Sequence, residues 1–244
     1  MRRYTAVVSE KACEYIKALT EHFNVIALPP DTSLDDPVSC HADMIMFSVG
    51  DTAVLPRRYV EVYPDTVSLF RTRCGLRIIE DNSPRGKQYP HDVSLNVLLC
   101  GGYAFSLKKH TSGKVAEILS EKDIKHVNVR QGYSACSSLS IEGGIITADP
   151  SIASAAESVG LDVLKITPGY IRLDGYSEGF IGGASGVCGK TVYFLGNIMT
   201  HPDKENIRGF LETHGYDMIC LGNGELEDFG GIRFFDSNPI PPRE

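Results

Sequence analysis

The chain has 244 residues, 42% hydrophobic and 23% charged, with 24 Lys and Arg against 31 Asp and Glu for a net charge of −7. That balance suits a globular protein with a real core, and with no basic block it argues against a large nucleic-acid footprint while leaving small cationic ligands open. The amino end lacks the apolar region of a signal peptide, and no stretch approaches the roughly 18 apolar residues of a membrane span. The seven cysteines are scattered, with no CxxC pair; this is neither a zinc pattern nor a disulfide framework, and it suits a reducing cytoplasm.

From the amino end, Thr5 to Val8 reads as a strand and Val25 to Leu28 as another. Between them Glu10 to Phe23 reads as a helix, with Ala12, Ile16, Leu19 and Phe23 on one face. A divergent unit covers Cys40 to Asp81: a strand Met44 to Phe47, a turn at Gly50-Asp51, a weak helix around Tyr59 to Tyr63 and a strand Leu76 to Ile79. The next opens at Tyr89-Pro90-His91-Asp92 and runs through an apolar strand, Val93 to Leu99, to a turn at Gly101-Gly102. It continues with a helix Ser112 to Lys122 and a strand His126 to Val129, ending at Gly132.

The cleanest copy spans Tyr133 to Gly169. Its strand, Tyr133 to Ile141, turns at Gly143-Gly144 and returns through Ile145 to Thr147, before a helix Pro150 to Val159 and a strand Val163 to Ile166. Another copy opens at Tyr176-Ser177-Glu178, turns near Gly186 to Gly189, rises through Thr191 to Leu195, and adds a helix Pro202 to His214 and a strand Met218 to Leu221. Proline heads both of these helices, behind Asp149, a good N-cap, and His201, a poorer one. The carboxyl end offers one strand, Ile232 to Phe235, before a Pro-rich tail from Pro239 to Pro242.

A unit of roughly 40 to 50 residues that recurs means a solenoid, a propeller or an array. The units lie at about 40–81, 89–132, 133–169 and 176–222, with 227–236 plus 3–30 as a fifth, all in one domain of 1–244. Pairing the last strand beside the first segment would close a circle and remove exposed sheet edges. The competing reading is a generic α/β sandwich whose Gly-Gly turns coincide. The run Gly179 to Gly186 lacks the Gly-Lys-Ser/Thr ending of a phosphate loop, and Gly189-Lys190-Thr191 leads into a strand. His41, Asp43, His91 and Asp92 have no metal-site spacing, so no metal or cofactor is expected.

Five strand-strand-helix-strand units around an axis resemble the pentein fold, also called the guanidino-group-modifying enzyme fold, and most of all an uncharacterised bacterial domain family assigned to it. The implied architecture is an α/β propeller of pentein type, five-bladed, with pseudo-five-fold repeats closed by the carboxyl-terminal strand. Two phrases sharpen the match. Cys40-His41-Ala42-Asp43, followed by Met44 to Phe47, resembles the His-x-Asp segment of agmatine and arginine deiminases. Gly132-Tyr133-Ser134-Ala135-Cys136-Ser137 resembles the segment around the nucleophilic Cys of arginine deiminases and dimethylarginine hydrolases. His41 and Cys136 are 136 − 41 = 95 residues apart, or two repeats, which resembles the family's module separation. The Cys of those families lies near the carboxyl end, so this chain is circularly shifted relative to them.

The resemblance implies Cys136 as nucleophile, His41 as acid/base and Asp43 as a grip on the guanidinium. Further carboxylates should come from Asp92, from Glu178, and from Glu227 or Asp228 in Leu226-Glu227-Asp228-Phe229-Gly230-Gly231, which resembles a Leu-Glu-Gly-Gly stretch with two residues inserted. The chemistry suits those residue types. A guanidinium is a poor electrophile and needs a thiolate, the departing amine needs a proton from an imidazole, and carboxylates can hold the planar N–H groups. The expectation is a hydrolase or amidinotransferase acting on a small guanidine or amidine. The alternative is a non-catalytic pentein that binds a small cation, or a protein or ribosomal surface as one branch of the fold does.

Overall fold

The computed structural model describes residues 4–237. Strands β1 (Tyr4–Ser9) and β2 (Asn24–Leu28) run parallel, and a parallel pair needs a crossover, supplied by helix α1 (Cys13–Thr20). Next come α2 (Ala42–Ile45), β3 (Phe47–Val49), β4 (Thr52–Pro56), α3 (Arg57–Val62), α4 (Pro64–Arg73) and β5 (Arg77–Asp81). The order returns as β6 (Leu98–Cys100), β7 (Tyr103–Ser106), α5 (Gly113–Glu121) and β8 (Lys125–Asn128). It returns again as β9 (Ser138–Ile141), β10 (Gly144–Thr147), α6 (Pro150–Ser158) and β11 (Asp162–Lys165). After β12 (Ile171–Arg172) follow β13 (Ser185–Cys188), β14 (Thr191–Phe194), α7 (Lys204–Thr213), β15 (Asp217–Cys220), β16 (Leu226–Glu227) and β17 (Arg233–Asp236).

Five three-stranded sheets result: β17-β1-β2, β3-β4-β5, β6-β7-β8, β9-β10-β11 and β13-β14-β15. In every one the first pair is antiparallel and the second parallel. The two chain ends share a sheet, with Tyr4 opposite Asp236 and Val7 opposite Arg233. The short pair β12 and β16 stands apart.

The middle strands are apolar on both faces because each lies between two cores. Side chains alternate along a strand, so neighbouring residues enter different clusters. Ala53 and Leu55 of β4 pack with Val7 and Leu28, whereas Val54 packs with Ala104, Val115 and Ile118. Phe105 of β7 meets Ile145 and Ile152, and Ile146 of β10 meets Val192 and Phe194. The fifth cluster joins Leu195, after β14, to Ala6 and Val8 of β1. Every pair of successive units, the last and the first included, therefore shares one apolar cluster.

The elements depart from the sequence expectations in an orderly way. Three of the inner strands begin later than expected, since residues 93–97 and 134–137 are turns or coil and 42–45 a single helical turn. In the next unit the turn lies at 181–184, and β13 occupies most of the stretch near Gly186 to Gly189 expected to turn. Apolar residues there are buried by packing and not by strand pairing, which a hydropathy pattern cannot distinguish. The unit at 40–81 has two helices where the sequence reads as weak, because Tyr59, Val67 and Phe70 anchor them. Helix α7 begins at Lys204, behind Asp203 and not His201. Asp149 caps α6 as expected, accepting from the N–H of Ser151 and Ile152. The Pro239 to Pro242 tail lies outside the described residues. Among the described residues no helix is long and apolar enough to cross a membrane.

Candidate active site

The turns that precede the inner strands carry the chemistry. Cys136 sits in the turn 134–137 ahead of β9, where Ser137 donates its backbone N–H to the Tyr133 carbonyl at 2.9 Å. The Cys136 carbonyl accepts from Gly183 N–H at 2.9 Å. Helix α2 is a single turn that presents Asp43, and His41 occupies its extended N-cap position. Asp43 N–H donates to the Gly230 carbonyl at 3.2 Å, tying this turn to the one ahead of β17.

One potential ligand atom each from His41, Asp43 and Cys136 lies within 4.8 Å of the others. Asp228 closes the group, its Oδ1 lying 3.7 Å from His41 Nδ1. All four residues are only 2–4% exposed. Asp228 is held by backbone, accepting from Phe180 N–H at 2.9 Å and Gly230 N–H at 3.0 Å. Close approach demands glycine around it: a Cβ on Gly183 would fall 1.9 Å from Asp228 Oδ1, and one on Gly230, at φ +78°, would fall 2.3 Å from His41 Cβ.

Among the described residues, both ring nitrogens of His41 are buried without a hydrogen-bond partner, and the oxygens of Asp43 have none beyond the weak donor of the adjacent Cys136 thiol. Burial disfavours charge, so the groups move toward neutrality. His41 is pushed down to about 3 by burial, helped by Lys11. Asp43 rises to about 6 through burial, opposed by Arg233, and Asp228 to about 7 through burial and the neighbouring Asp43. The Cys136 thiol is pushed well above its usual range by burial and by Asp43 and Asp228.

The other expected site residues are placed as follows. Asp92 is buried, accepts the Tyr133 hydroxyl at 2.7 Å on Oδ2, and among the described residues leaves Oδ1 without a partner. Glu178 lines a separate cavity of about 170 Å³ with Asp149 and Phe180. Glu227 accepts from the Tyr15 hydroxyl and the Arg172 guanidinium, and it is Asp228, not Glu227, that meets His41. A cavity of about 230 Å³ reaches Asp43 and is lined by the inner strands of all five units, including Ser48, Leu98, Ser140, Val187 and Arg233.

The sequence reading passed over Asn96. This fully buried amide donates from Nδ2 to Cys136 Sγ at 3.2 Å and accepts Ala135 N–H at 2.7 Å. The signal was present as one of two polar residues, with Ser94, inside the apolar run Val93 to Leu99. Arg85 was passed over as well. Its side chain is 4% exposed, pairs with Asp31 at 3.0 Å and donates to the Met44 carbonyl at 2.6 Å, pinning the segment that carries Asp43.

Comparisons with known proteins add the relatives. A DDAH mutant from Pseudomonas aeruginosa, complexed with citrulline, is similar at 14% identity over 91% of this chain and 92% of that one, with a TM-score of 0.56. An agmatine deiminase from C. jejuni is similar at 9% identity over 96% and 93%, TM-score 0.57. SxtG, an amidinotransferase from Microseira wollei in the saxitoxin biosynthetic pathway, is similar at 13% over 97% and 81%, TM-score 0.55. At these identities the likeness shows the fold, which is the pentein fold in its α/β form. No curated protein sequence matches the chain. At the level of sequence, residues 7–233 match the family described as "Family of unknown function (DUF6873)", and the chain, pentein in fold, belongs to that family.

Proposed function

We propose that the chain is a cysteine-dependent enzyme acting on a small guanidine or amidine through a covalent thiol intermediate, as a hydrolase or an amidinotransferase. One observation carries this reading: Cys136, His41, Asp43 and Asp228 converge in a buried cluster where, among the described residues, the imidazole nitrogens have no partner and the Asp43 oxygens have only the weak donor of the Cys136 thiol. Each buried polar group left unpaired costs about 1–3 kcal/mol, so the cluster opposes stability until something satisfies it. A planar cation donating N–H groups to Asp43 and Asp228 would do so.

In this reading the Cys136 thiol proton passes to neutral His41 as Sγ bonds to the guanidine carbon. The C–N bond to the departing amine then breaks, and that amine takes the proton from His41. Water attacking the same carbon completes a hydrolysis as the C–S bond breaks and a proton from the attacking water, passed through His41, restores the Cys136 thiol; an acceptor amine attacking there completes a transfer in the same way. Asp92, Glu178 and Glu227 stand outside the cluster and are assigned no part in holding the guanidinium. The names of the structural relatives, among them an agmatine deiminase and an amidinotransferase, lend support.

Two coarser features complete the proposal. The five units form one domain, a closed five-bladed propeller, supported by the apolar cluster between the last unit and the first and by the cavity shared by all five inner strands. The setting is a reducing cytoplasm, consistent with seven unpaired cysteines. A second reading, a protein that binds a small cation without converting it, draws on the strongly raised Cys136 thiol.

Labelling with chloroacetamidine, mapped by mass spectrometry beside neutral iodoacetamide and a Cys136→Ser control, separates the two. Preferential labelling of Cys136 by the amidine is the expected result. If Cys136 reacts no faster than the other cysteines, the enzyme reading fails.

A further inference from the structure

We propose that Asn96 is a further catalytic residue, its amide locked by the backbone beside Cys136 so that Nδ2 donates to the reacting sulfur and favours its thiolate form. The inference rests on reading Cys136 as the nucleophile and adds the group that would ionise it.

The lock is visible in the hydrogen bonds. Asn96 Oδ1 accepts Ala135 N–H at 2.7 Å and lies 3.4 Å from Cys136 N. With the amide turned over, an NH₂ group would face two N–H donors, so only one orientation satisfies the site. Nδ2 is then left facing two sulfurs, Cys136 Sγ at 3.2 Å and Met44 Sδ at 3.3 Å. A thioether and a neutral thiol are both weak acceptors, whereas a thiolate takes a charge-assisted hydrogen bond. The amide therefore gains most when Cys136 ionises.

Its position in the fold makes the contact specific. Asn96 lies in the turn ahead of β6, in the unit between those of His41 and Cys136, and its N–H is tied to the Val93 carbonyl at 3.0 Å. From there it touches Met44, next to Asp43, on one side and the Cys136 turn on the other. Burial, Asp43 and Asp228 all oppose the thiolate, and the hydrogen bond from Asn96 acts the other way. With 0% exposure, Asn96 is shut off from the bulk water that could replace that bond.

Two substitutions isolate the donor. Asn96→Asp keeps the shape and the acceptor for Ala135 N–H but loses the N–H directed at sulfur. Asn96→Leu loses the donor without adding charge. The readout is the rate at which neutral iodoacetamide alkylates Cys136, mapped by mass spectrometry, with thermal melting as a check on folding. A hydrogen bond to a charged group predicts a fall of roughly tenfold or more near pH 8 in both variants. Unchanged rates would overturn the assignment, and so would a loss confined to the Asp variant, which would trace to its charge.

Should a variant not fold, the isotope-labelled unaltered chain decides. The Asn96 side-chain amide proton should shift as Cys136 ionises and stay still in Cys136→Ser; a resonance indifferent to Cys136 would refute the proposal. Iodoacetamide needs no guanidine pocket. A failure of amidine labelling would therefore remove the substrate reading and leave this test intact.

Discussion

His41 Nδ1 and Asp228 Oδ1 lie 3.7 Å apart, both side chains buried, and burial favours the neutral form of each over an ion pair. Burial drives them in opposite directions, the imidazole down to about 3 and the carboxyl up to about 7. Between those values both are neutral. A neutral imidazole can accept a thiol proton, and a protonated carboxyl can become a counter-ion once a cation enters.

The first consequence is a pH dependence of folding stability. Asp43 and Asp228 titrate near 3.8 in the unfolded chain but at about 6 and about 7 when folded, so their contribution is full below about pH 4 and lost as pH rises through 6 to 7. His41 falls from 6.5 to about 3 on folding, so its contribution is present above 6.5 and lost as pH falls toward 3. Urea unfolding across this range should show Asp228→Asn removing a slope of up to about 1.4 kcal/mol per pH unit, and His41→Gln removing one of opposite sign. Identical slopes in all three chains would contradict the account.

Cation binding should follow the same protons. A guanidinium that pairs with the carboxylates must displace protons from them below pH 7, so affinity should rise with pH, by about tenfold per unit for each proton released. Isothermal titration with methylguanidine in buffers of different ionisation enthalpy would report the release. Binding that is both pH-independent and unaltered in Asp228→Asn would show that the cation lies elsewhere.

Glycine substitutions should separate a packed site from an open surface. Gly183→Ala places a methyl against Asp228 and should cost about 1–3 kcal/mol by overpacking while displacing the carboxylate. Gly209 lies within α7 with open space around it, so Gly209→Ala should stabilise by about 0.5–1 kcal/mol through helix propensity. Chemical denaturation measures both signs.

Removing Arg85 should be among the most damaging single changes. Its buried guanidinium pairs with Asp31 at 3.0 Å and holds the Met44 carbonyl. Arg85→Met strands Asp31 and should cost about 3–5 kcal/mol. A double change with Asp31→Leu should recover much of that loss, and a double variant as unstable as the single one would assign the cost to the Met44 contact.

The repeat was legible because it is written in local chemistry. Glycine turns such as Gly101-Gly102, the Asp149 cap ahead of Pro150, and apolar middle strands each follow from conformational preference or from burial on both faces. His41-x-Asp43 and Cys136 were legible as well, as short phrases placed two repeats apart. Tertiary structure decided the rest. Whether Glu227 or Asp228 turns toward His41 depends on the backbone donors of Phe180 and Gly230, which come from different turns. Asn96 reads in the sequence as a flaw in an apolar strand and becomes a thiol ligand only when three units meet around it. Local pattern fixes what each unit is; the convergence of units fixes which polar atoms lose water together, and that loss sets the charge state of the site.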